Sequence, residues 1–354
     1  MNATLSYAAR PMRYAYSSSR TKAMKGALLS KDDMEQLISA DRVGDVIAVL
    51  GRTDYKDDMT EPALRHSGAD LVDFALGRHM ARKARKILSF APGEALPAVL
   101  SVLEKWDAYN LKTILLAKHL GHPNAEIVPL LVPAGAFTKD DLLRMLSQES
   151  VEGVASLITG TGYGEALEPL LAEYKKSKNI QPLLNAVEKH FYAKLSGAVS
   201  PRIPDGERIL AVVRASIDNR NAVNILRGKR EGASEAKIRS YVIGGGTLTA
   251  HELNRFIQAP TTDEAFKAVM ERFGLTPLEP GGRKASLVNM ETELERRVLR
   301  LGFRTLRMSV LSPGVLVGYL LLKENEVNNV RKIVRGKEFN LPPAKIRGTL
   351  VFAD

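Results

Sequence analysis

Several groups of residues in this sequence have the types and spacing that chemistry uses. Leu157-Ile158-Thr159-Gly160-Thr161-Gly162-Tyr163-Gly164-Glu165 imitates a strand entering a glycine-rich phosphate loop, where bare backbone amides approach a dinucleotide. Gly244-Gly245-Gly246-Thr247 is a second glycine run, but it lacks the Lys-Ser/Thr ending of a phosphate cradle. His119 and His122 could ligate a metal. Zinc, however, takes three or four protein ligands, no acid or third histidine completes a set, and Gly121 and Pro123 point to a loop. The acid pairs Asp32-Asp33 and Asp140-Asp141 would suit general acid–base work. Asp57-Asp58 reads as a solvated pair, and Pro280-Gly281-Gly282-Arg283-Lys284 as an exposed loop. No Ser-His-Asp arrangement is legible. The chain has no cysteine, so disulfides, zinc-thiolate sites and cysteine nucleophiles are excluded.

Comparing the chain with itself removes most of this chemistry. Trp106-Asp107-Ala108-Tyr109-Asn110-Leu111-Lys112-Thr113-Ile114-Leu115-Leu116-Ala117-Lys118 has two relatives, one running from Asp218 through Asn221 to Lys229, the other from Glu326 through Asn329 to Lys337. Each reads acid, asparagine three later, an apolar pair at seven and eight, and lysine at eleven. Ile127, Ile238 and Ile346 follow nine residues after each lysine, and Leu131-Val132, Val242-Ile243 and Leu350-Val351 come next. A second block recurs in register: Ser30-Lys31-Asp32-Asp33-Met34, Thr138-Lys139-Asp140-Asp141-Leu142 and Thr249-Ala250-His251-Glu252-Leu253. The steps from Ser30 to Thr138 and from Thr138 to Thr249 are 108 and 111 residues. Three copies therefore nearly fill the chain. The expected division is an N-terminal extension at 1–12 and helical repeats at 13–135, 136–246 and 247–354.

Within each copy the chemistry is structural. Ser30, Thr138 and Thr249, with an acid three residues later, make the capping-box pattern that satisfies free amides at a helix start. The acid pairs then complement the helix dipole. Apolar residues recur at helical spacing after each box. Second helices follow at Val43-Val46-Ile47-Leu50 and Val151-Val154-Leu157-Ile158 and end in a turn at Thr53-Asp54-Tyr55 or Thr161-Gly162-Tyr163. The third copy lacks that turn and shows Phe273-Gly274 nearby. The counterpart of the 157–165 loop is Gly51-Arg52-Thr53-Asp54-Tyr55-Lys56, which a phosphate loop could not tolerate, so a turn is expected. Gly244-Gly245-Gly246 aligns with Pro133-Ala134-Gly135 and reads as a linker between copies. Acid and asparagine three apart share a helix face, from which an amide can bridge to a neighbouring helix.

Composition agrees with an all-α chain. The 354 residues are 45% hydrophobic and 26% charged, which excludes a disordered or collagen-like polymer. Aromatics are 6%, with Trp106 the one tryptophan, and strand signals are few. The longest apolar run, Pro313 to Leu322, is about half the ~20 residues a membrane helix needs. Met1 to Lys31 carries six basic residues and no acid, loosely imitating a transit peptide, yet it also fits the repeat. The net charge of +11 suggests acidic partners. Lys118, Lys229, Arg230, Lys337, Arg239 and Arg347 fall in or after the same repeated helix, where they either form a positive rim or complement helix dipoles. No nucleic-acid-binding motif or basic–aromatic interleaving is present.

The residues that repeat also carry a resemblance. Tyr14-Ala15-Tyr16-Ser17-Ser18-Ser19-Arg20 with Lys25 and Leu28-Leu29, the Trp106–Leu115 block, and above all Pro313-Gly314-Val315-Leu316-Val317-Gly318-Tyr319-Leu320-Leu321-Leu322-Lys323-Glu324-Asn325-Glu326-Val327-Asn328-Asn329-Val330-Arg331-Lys332-Ile333 resemble the C subunit of archaeal and bacterial A-type (V/A-type) ATP synthases, the relative of the d subunit of eukaryotic V-ATPases. The resemblance covers nearly the whole chain; Met1 to Met12 lies outside it. It implies three helical domains in a funnel with pseudo-threefold symmetry. It implies a non-catalytic central-stalk adaptor between the D and F axle subunits and the membrane ring of proteolipid subunits, transmitting torque between ATP synthesis or hydrolysis and proton or sodium transport. It further implies one copy per complex, a peripheral position on the cytoplasmic face of a prokaryotic membrane, and no cofactor, metal, nucleic acid or small-molecule substrate. Asp107, Asn110, Asp218, Asn221, Glu326 and Asn329 are the candidate structural or interface residues, and Lys118, Lys229 and Lys337 the candidates for a rim. The alternative is a helical-repeat scaffold in another membrane-associated complex; an enzyme or nucleic-acid binder would need a site that the repeat removes.

Overall fold

The computed structural model describes residues 2–275 and 287–352, and the regular elements among them are all helical. The chain opens on α1 (Asn2–Lys25), which runs unbroken through residues 2–12. The short helices α2 (Lys31–Ser39), α3 (Val43–Leu50) and α4 (Lys56–Thr60) follow. A helical hairpin then pairs α5 (Gly68–Leu88) with α6 (Leu96–Leu103) and α7 (Lys105–Leu120), and α8 (Asn124–Ile127) closes this stretch. The second stretch runs in the same order: α9 (Lys139–Leu146), α10 (Val151–Leu157), α11 (Gly162–Ser177), the hairpin α12 (Gln181–Ala198) and α13 (Gly206–Arg230), and α14 (Glu235–Ser240). The third holds α15 (Ala250–Gln258), α16 (Thr262–Phe273), the hairpin α17 (Leu287–Met308) and α18 (Pro313–Glu338), and α19 (Pro343–Thr349). The Pro280-Gly281-Gly282-Arg283-Lys284 segment lies outside the described residues.

The helix starts obey the sequence signals. In the capping boxes of α2, α9 and α15, Asp33, Asp141 and Glu252 donate backbone N–H groups to Ser30, Thr138 and Thr249 at 3.0, 3.2 and 3.2 Å. The same acids accept back from the capping N–H groups at 2.8, 3.0 and 2.8 Å. The glycine-rich segment at 157–165 is a turn between helices. α10 ends at Leu157, Gly160 takes a φ of 82° that favours glycine, and Thr161 caps α11 by accepting from the Gly164 N–H at 3.2 Å. In the third stretch the αL residue Gly274 terminates α16, where the repeated turn is missing.

The apolar run Pro313–Leu322 is the first half of α18. It is buried on nearly every side because α18 packs against α17, α5, α1, α6 and α13. The main cores each join two copies. One combines Met34, Leu37, Ile38, Val46 and Leu50 with Val327, Val330, Ile333, Val334 and Val351. The second combines Leu142, Leu146 and Val154 with Leu111, Ile114 and Leu115 of α7. The third combines Phe256, Ile257 and Val269 with Ala222, Ile225 and Leu226 of α13. In every case the short helices of one copy close over the end of the long helix from the copy before, and the copy before the first is the third. A fourth, smaller cluster gathers Ala98, Val199, Ile209, Leu210 and Val317, so the N-terminal ends of α6, α13 and α18 meet.

Candidate functional site

The three asparagines do one job. Asn110 donates Nδ2 to the Val132 carbonyl at 2.7 Å and accepts from the Val132 N–H at 2.8 Å. Asn221 grips Ile243 in the same way at 2.8 and 2.7 Å, and Asn329 grips Val351 at 2.7 and 3.1 Å. A carboxamide offers one donor and one acceptor side by side, which matches the N–H and C=O of one extended residue. The sequence suggested a bridge to a helix. The partner is instead non-helical backbone, 22 residues on, whose polar groups no helix satisfies.

The acids three residues earlier hold the entry of the next copy. Asp107 accepts from the Ala136 and Phe137 N–H groups at 2.7 and 2.9 Å. Asp218 accepts from Thr247 and Leu248 at 2.8 and 3.0 Å. Glu326 reaches back across the chain to Leu29 N–H at 2.6 Å, immediately before the first capping box. It also accepts from the Tyr55 hydroxyl at 2.7 Å and from Lys323 Nζ at 2.5 Å. Phe137, Leu248 and Leu29 hold the same place in their copies, so the pattern that links the first copy to the second and the second to the third returns from the third to the first.

This contact explains two glycines. A Cβ on Gly135 would run into the Asp107 carboxylate, and one on Gly246 into that of Asp218. Replacing Gly246 by alanine is expected to destabilise the chain by about 2 kcal/mol, read as a lower denaturation midpoint, because the carboxylate is fixed by two backbone N–H groups and cannot yield freely. Burial raises the Asp107 carboxyl to about 6, against the lowering effect of its two backbone hydrogen bonds. The folded state therefore holds this proton more tightly than the unfolded chain does. Stability from this group is present below the normal aspartate range and is lost as pH rises through about 6. Thermal melts of the parent and Asp107→Asn at pH 4 and 7 isolate this group from others that titrate in the same window: relative to the variant, the parent should lose roughly 2–3 kcal/mol on going to pH 7.

The lysines do not form a common rim. Lys337 is 6% exposed and donates Nζ to the Ile38 carbonyl at 2.6 Å, so it is a buried tie between α18 and the end of α2. Lys229, half-buried, donates likewise to the Ile257 carbonyl at 2.8 Å. Lys118 turns instead to Asn124 Oδ1 at 2.6 Å. Both lysine amines on carbonyls satisfy the open C-terminal end of a helix. Arg347 pairs with Glu35 and Arg239 with Asn254, while Arg230 is exposed. His119 meets the Tyr174 hydroxyl at 3.1 Å, and His122 lies 3.6 Å from Glu126. Among the described residues no three His, Asp or Glu side chains converge as metal ligands.

Sequence reasoning missed the seam between α5 and α18. Asp58 is not solvated: it is 4% exposed, 2.8 Å from His79 Nδ1, and accepts from Arg82 at 2.7 Å. Burial raises its carboxyl, but the His79 and Arg82 hydrogen bonds outweigh this and hold it at about 2. Burial pushes His79 down to about 4, so the ring is neutral near pH 7. Tyr55 stacks on His79 with ring centroids 3.9 Å apart, and Lys323 Nζ lies 4.8 Å from the Tyr55 ring. On the same two helices, Asp73 pairs with Arg331 at 3.0 Å and Arg335 at 2.5 Å. These partners lie some 260 residues apart in the chain, and the other seams carry related pairs: Lys112, at the place of Arg331, bonds Glu188 of α12 at 2.6 Å, and Arg227, at the place of Arg335, bonds Glu291 of α17 at 2.9 Å.

Where the hairpins face one another, a cleft of about 190 Å³ with mixed polar and apolar walls opens between α7, α12, α13, α17 and α18. Lys105, Ser216 and Glu324, each two residues before a repeated acid, line it together with Arg220, Asn219 and Asn328. Lys105 and Glu324 form an ion pair across it. Equivalent positions of the three sequence copies thus line one cleft. The repeated acids and amides are occupied in joining segments, and what this arrangement does is hold three hairpins in fixed relation.

Comparison with known proteins follows the same lines. Residues 17–349 match the family described as ATP synthase (C/AC39) subunit. The C subunit of the A-type ATP synthase of Haloferax volcanii is 30% identical over 345 residues, which is 95% of this chain and 97% of that protein. The corresponding A-type ATP synthase protein of Methanococcoides burtonii is 30% identical over 96% of this chain and 94% of its own length. That of Halobacterium salinarum is 30% identical over 97% and 99%.

Proposed function

The chain belongs to the ATP synthase (C/AC39) subunit family, and on that premise we propose that it is the central-stalk adaptor of its complex. Membership makes it a non-catalytic structural subunit of a rotary ATP synthase. No helix among the described residues is long and apolar enough to cross a membrane, which fits a peripheral, membrane-associated protein. In the finer reading, one face receives the foot of the D and F axle subunits and the other sits on the proteolipid ring at the cytoplasmic face. One copy serves each complex. Torque passes through it between ATP synthesis or hydrolysis and proton or sodium transport, and it binds no nucleotide or ion itself.

The observation that carries this reading is the return of the third copy onto the first. Glu326 on Leu29 and Tyr55, Lys337 on Ile38, and Asp73 on Arg331 and Arg335 join the two ends of the chain. An open row of helical units would flex at its free ends under a twisting load. A closed one passes the load around through packed helices of low compressibility.

Membranes carrying the complex with this chain deleted test the reading. ATP hydrolysis by the catalytic head should persist, while ATP-driven ion uptake into inverted vesicles should fall to background and return when the purified chain is added. Ion uptake that survives the deletion would contradict the adaptor role.

A further inference from the structure

The hairpin turns come together at one end of the molecule. The first turns of α6, α13 and α18 share the Ala98–Ile209–Val317 cluster, and Ser312 donates its hydroxyl to Asp205, tying the α17–α18 turn to the α12–α13 turn. The α5–α6 turn is marked by Phe90, against which Tyr16 of α1 packs edge-on at 6.3 Å, with Arg20 5.5 Å from both rings. This end exposes large apolar side chains that the fold leaves uncovered: Tyr16 and Val310, each 61% exposed, with Met308 and Leu311 beside them. Exposed arginines stand among them, including Arg13, Arg20, Arg202 and Arg307. Among the described residues no carboxylate pairs with Arg202 or Arg307. Asp205, the acid of the middle turn, is already engaged by Arg208 and Ser312.

Apolar tips beside the guanidinium groups of Arg202 and Arg307, which no carboxylate meets among the described residues, and of Arg20, which donates to the Tyr16 hydroxyl at 2.8 Å, match one chemistry closely. A bilayer interface offers phosphates that a guanidinium fork binds in two places, beside acyl chains that accept Val, Leu and Met. Tyrosine suits the boundary between them. We propose that the hairpin-turn end is a lipid-facing surface. In it Val310 and Leu311 enter the headgroup layer of an anionic membrane, and Arg20, Arg202 and Arg307 sit at the level of the phosphates. The proposal rests on the peripheral-membrane reading above and assigns its membrane-facing end. The net charge of +11 adds long-range attraction to a negative surface.

Flotation of the full-length chain with vesicles tests it. Binding is expected to vesicles of phosphatidylcholine mixed with phosphatidylglycerol, to be weak on phosphatidylcholine alone, and to fall with added salt. Arg202→Gln with Arg307→Gln should weaken binding roughly 25-fold, at about 5-fold per arginine. Val310→Ser with Leu311→Ser should weaken it further. All four positions are exposed, so circular dichroism should be unchanged. Neutralising exposed Arg230, the last residue of α13, and exposed Lys345 of α19, which follows the far end of α18, is the control and should change binding little. Equal binding to both vesicle types, or an Arg202/Arg307 variant that binds like the parent, would overturn the proposal. The two readings fail separately. A chain that ignores vesicles but still purifies with other ATP synthase subunits would show this end to be covered by protein, leaving the adaptor role intact.

Discussion

Replacing Glu326 by alanine should lower the thermal midpoint of the chain by about 4–7 °C. Glu326 is the sole carboxylate that Lys323 meets at hydrogen-bonding distance among the described residues, and Lys323 is fully buried. Burial already pushes the lysine amine below its ordinary range, with the Glu326 charge as the main opposing influence. Removing one member of a buried pair typically costs about 3–5 kcal/mol, because the other charge is left uncompensated. The substitution also strands the Tyr55 hydroxyl and the Leu29 N–H. At an unfolding entropy of about 2.1 cal/mol/K per residue, that energy corresponds to the midpoint shift above. Glu326→Gln keeps an acceptor and should lose less. Lys323→Met combined with Glu326→Gln should recover part of the loss of the alanine variant, since no unpaired charge then remains. A Glu326→Ala variant that melts within about 1 °C of the parent would mean that the third copy is not clasped to the first through this residue.

The second large effect is expected at the asparagines. Asn221→Ala deletes both hydrogen bonds to Ile243 and leaves a buried N–H and a buried C=O without partners. At about 1–3 kcal/mol for each stranded group, the loss should be roughly 3–4 kcal/mol. Asn221→Asp should do no better: it keeps the acceptor for the Ile243 N–H but points a second oxygen at the Ile243 carbonyl. Asn110→Ala and Asn329→Ala should cost less, about 1–3 kcal/mol, because the Val132 carbonyl also accepts from the Ala134 N–H at 2.8 Å and the Val351 carbonyl from Asn325 Nδ2 at 2.9 Å, so that only the N–H groups are stranded. Chemical denaturation of the three single variants reads this directly. One variant of near-parental stability would break the equivalence of the three copies.

Much of the fold was legible because the chain states it three times. The capping boxes at Ser30, Thr138 and Thr249, the all-helical class and the acid–Asn–Lys block could be read from spacing alone. So could the apolar pairs whose second members, Val132, Ile243 and Val351, turn out to be the asparagine partners. The identity of the contact was not legible, because periodicity on a helix says which face a residue occupies and not whether a helix or extended backbone lies opposite. The lysines show the same limit. Equal spacing placed Lys118, Lys229 and Lys337 together, yet Lys337 is buried on Ile38, Lys229 bonds Ile257 and Lys118 bonds Asn124. The α5–α18 seam was invisible for a different reason. The partners of Asp58, Asp73 and His79 are supplied by tertiary packing, and an isolated acid pair in a sequence reads as solvated until the fold buries one member.

The central claim is that this chain is an integral part of a rotary ATP synthase, joined on one side to the axle and on the other to the ring. Affinity purification of the tagged chain from gently solubilised membranes, with mass spectrometry of the proteins that accompany it, tests this most directly. The account predicts recovery of the D and F axle subunits together with the proteolipid of the ring. A tagged, folded chain that returns none of them, from membranes in which the synthase itself remains assembled, would contradict it.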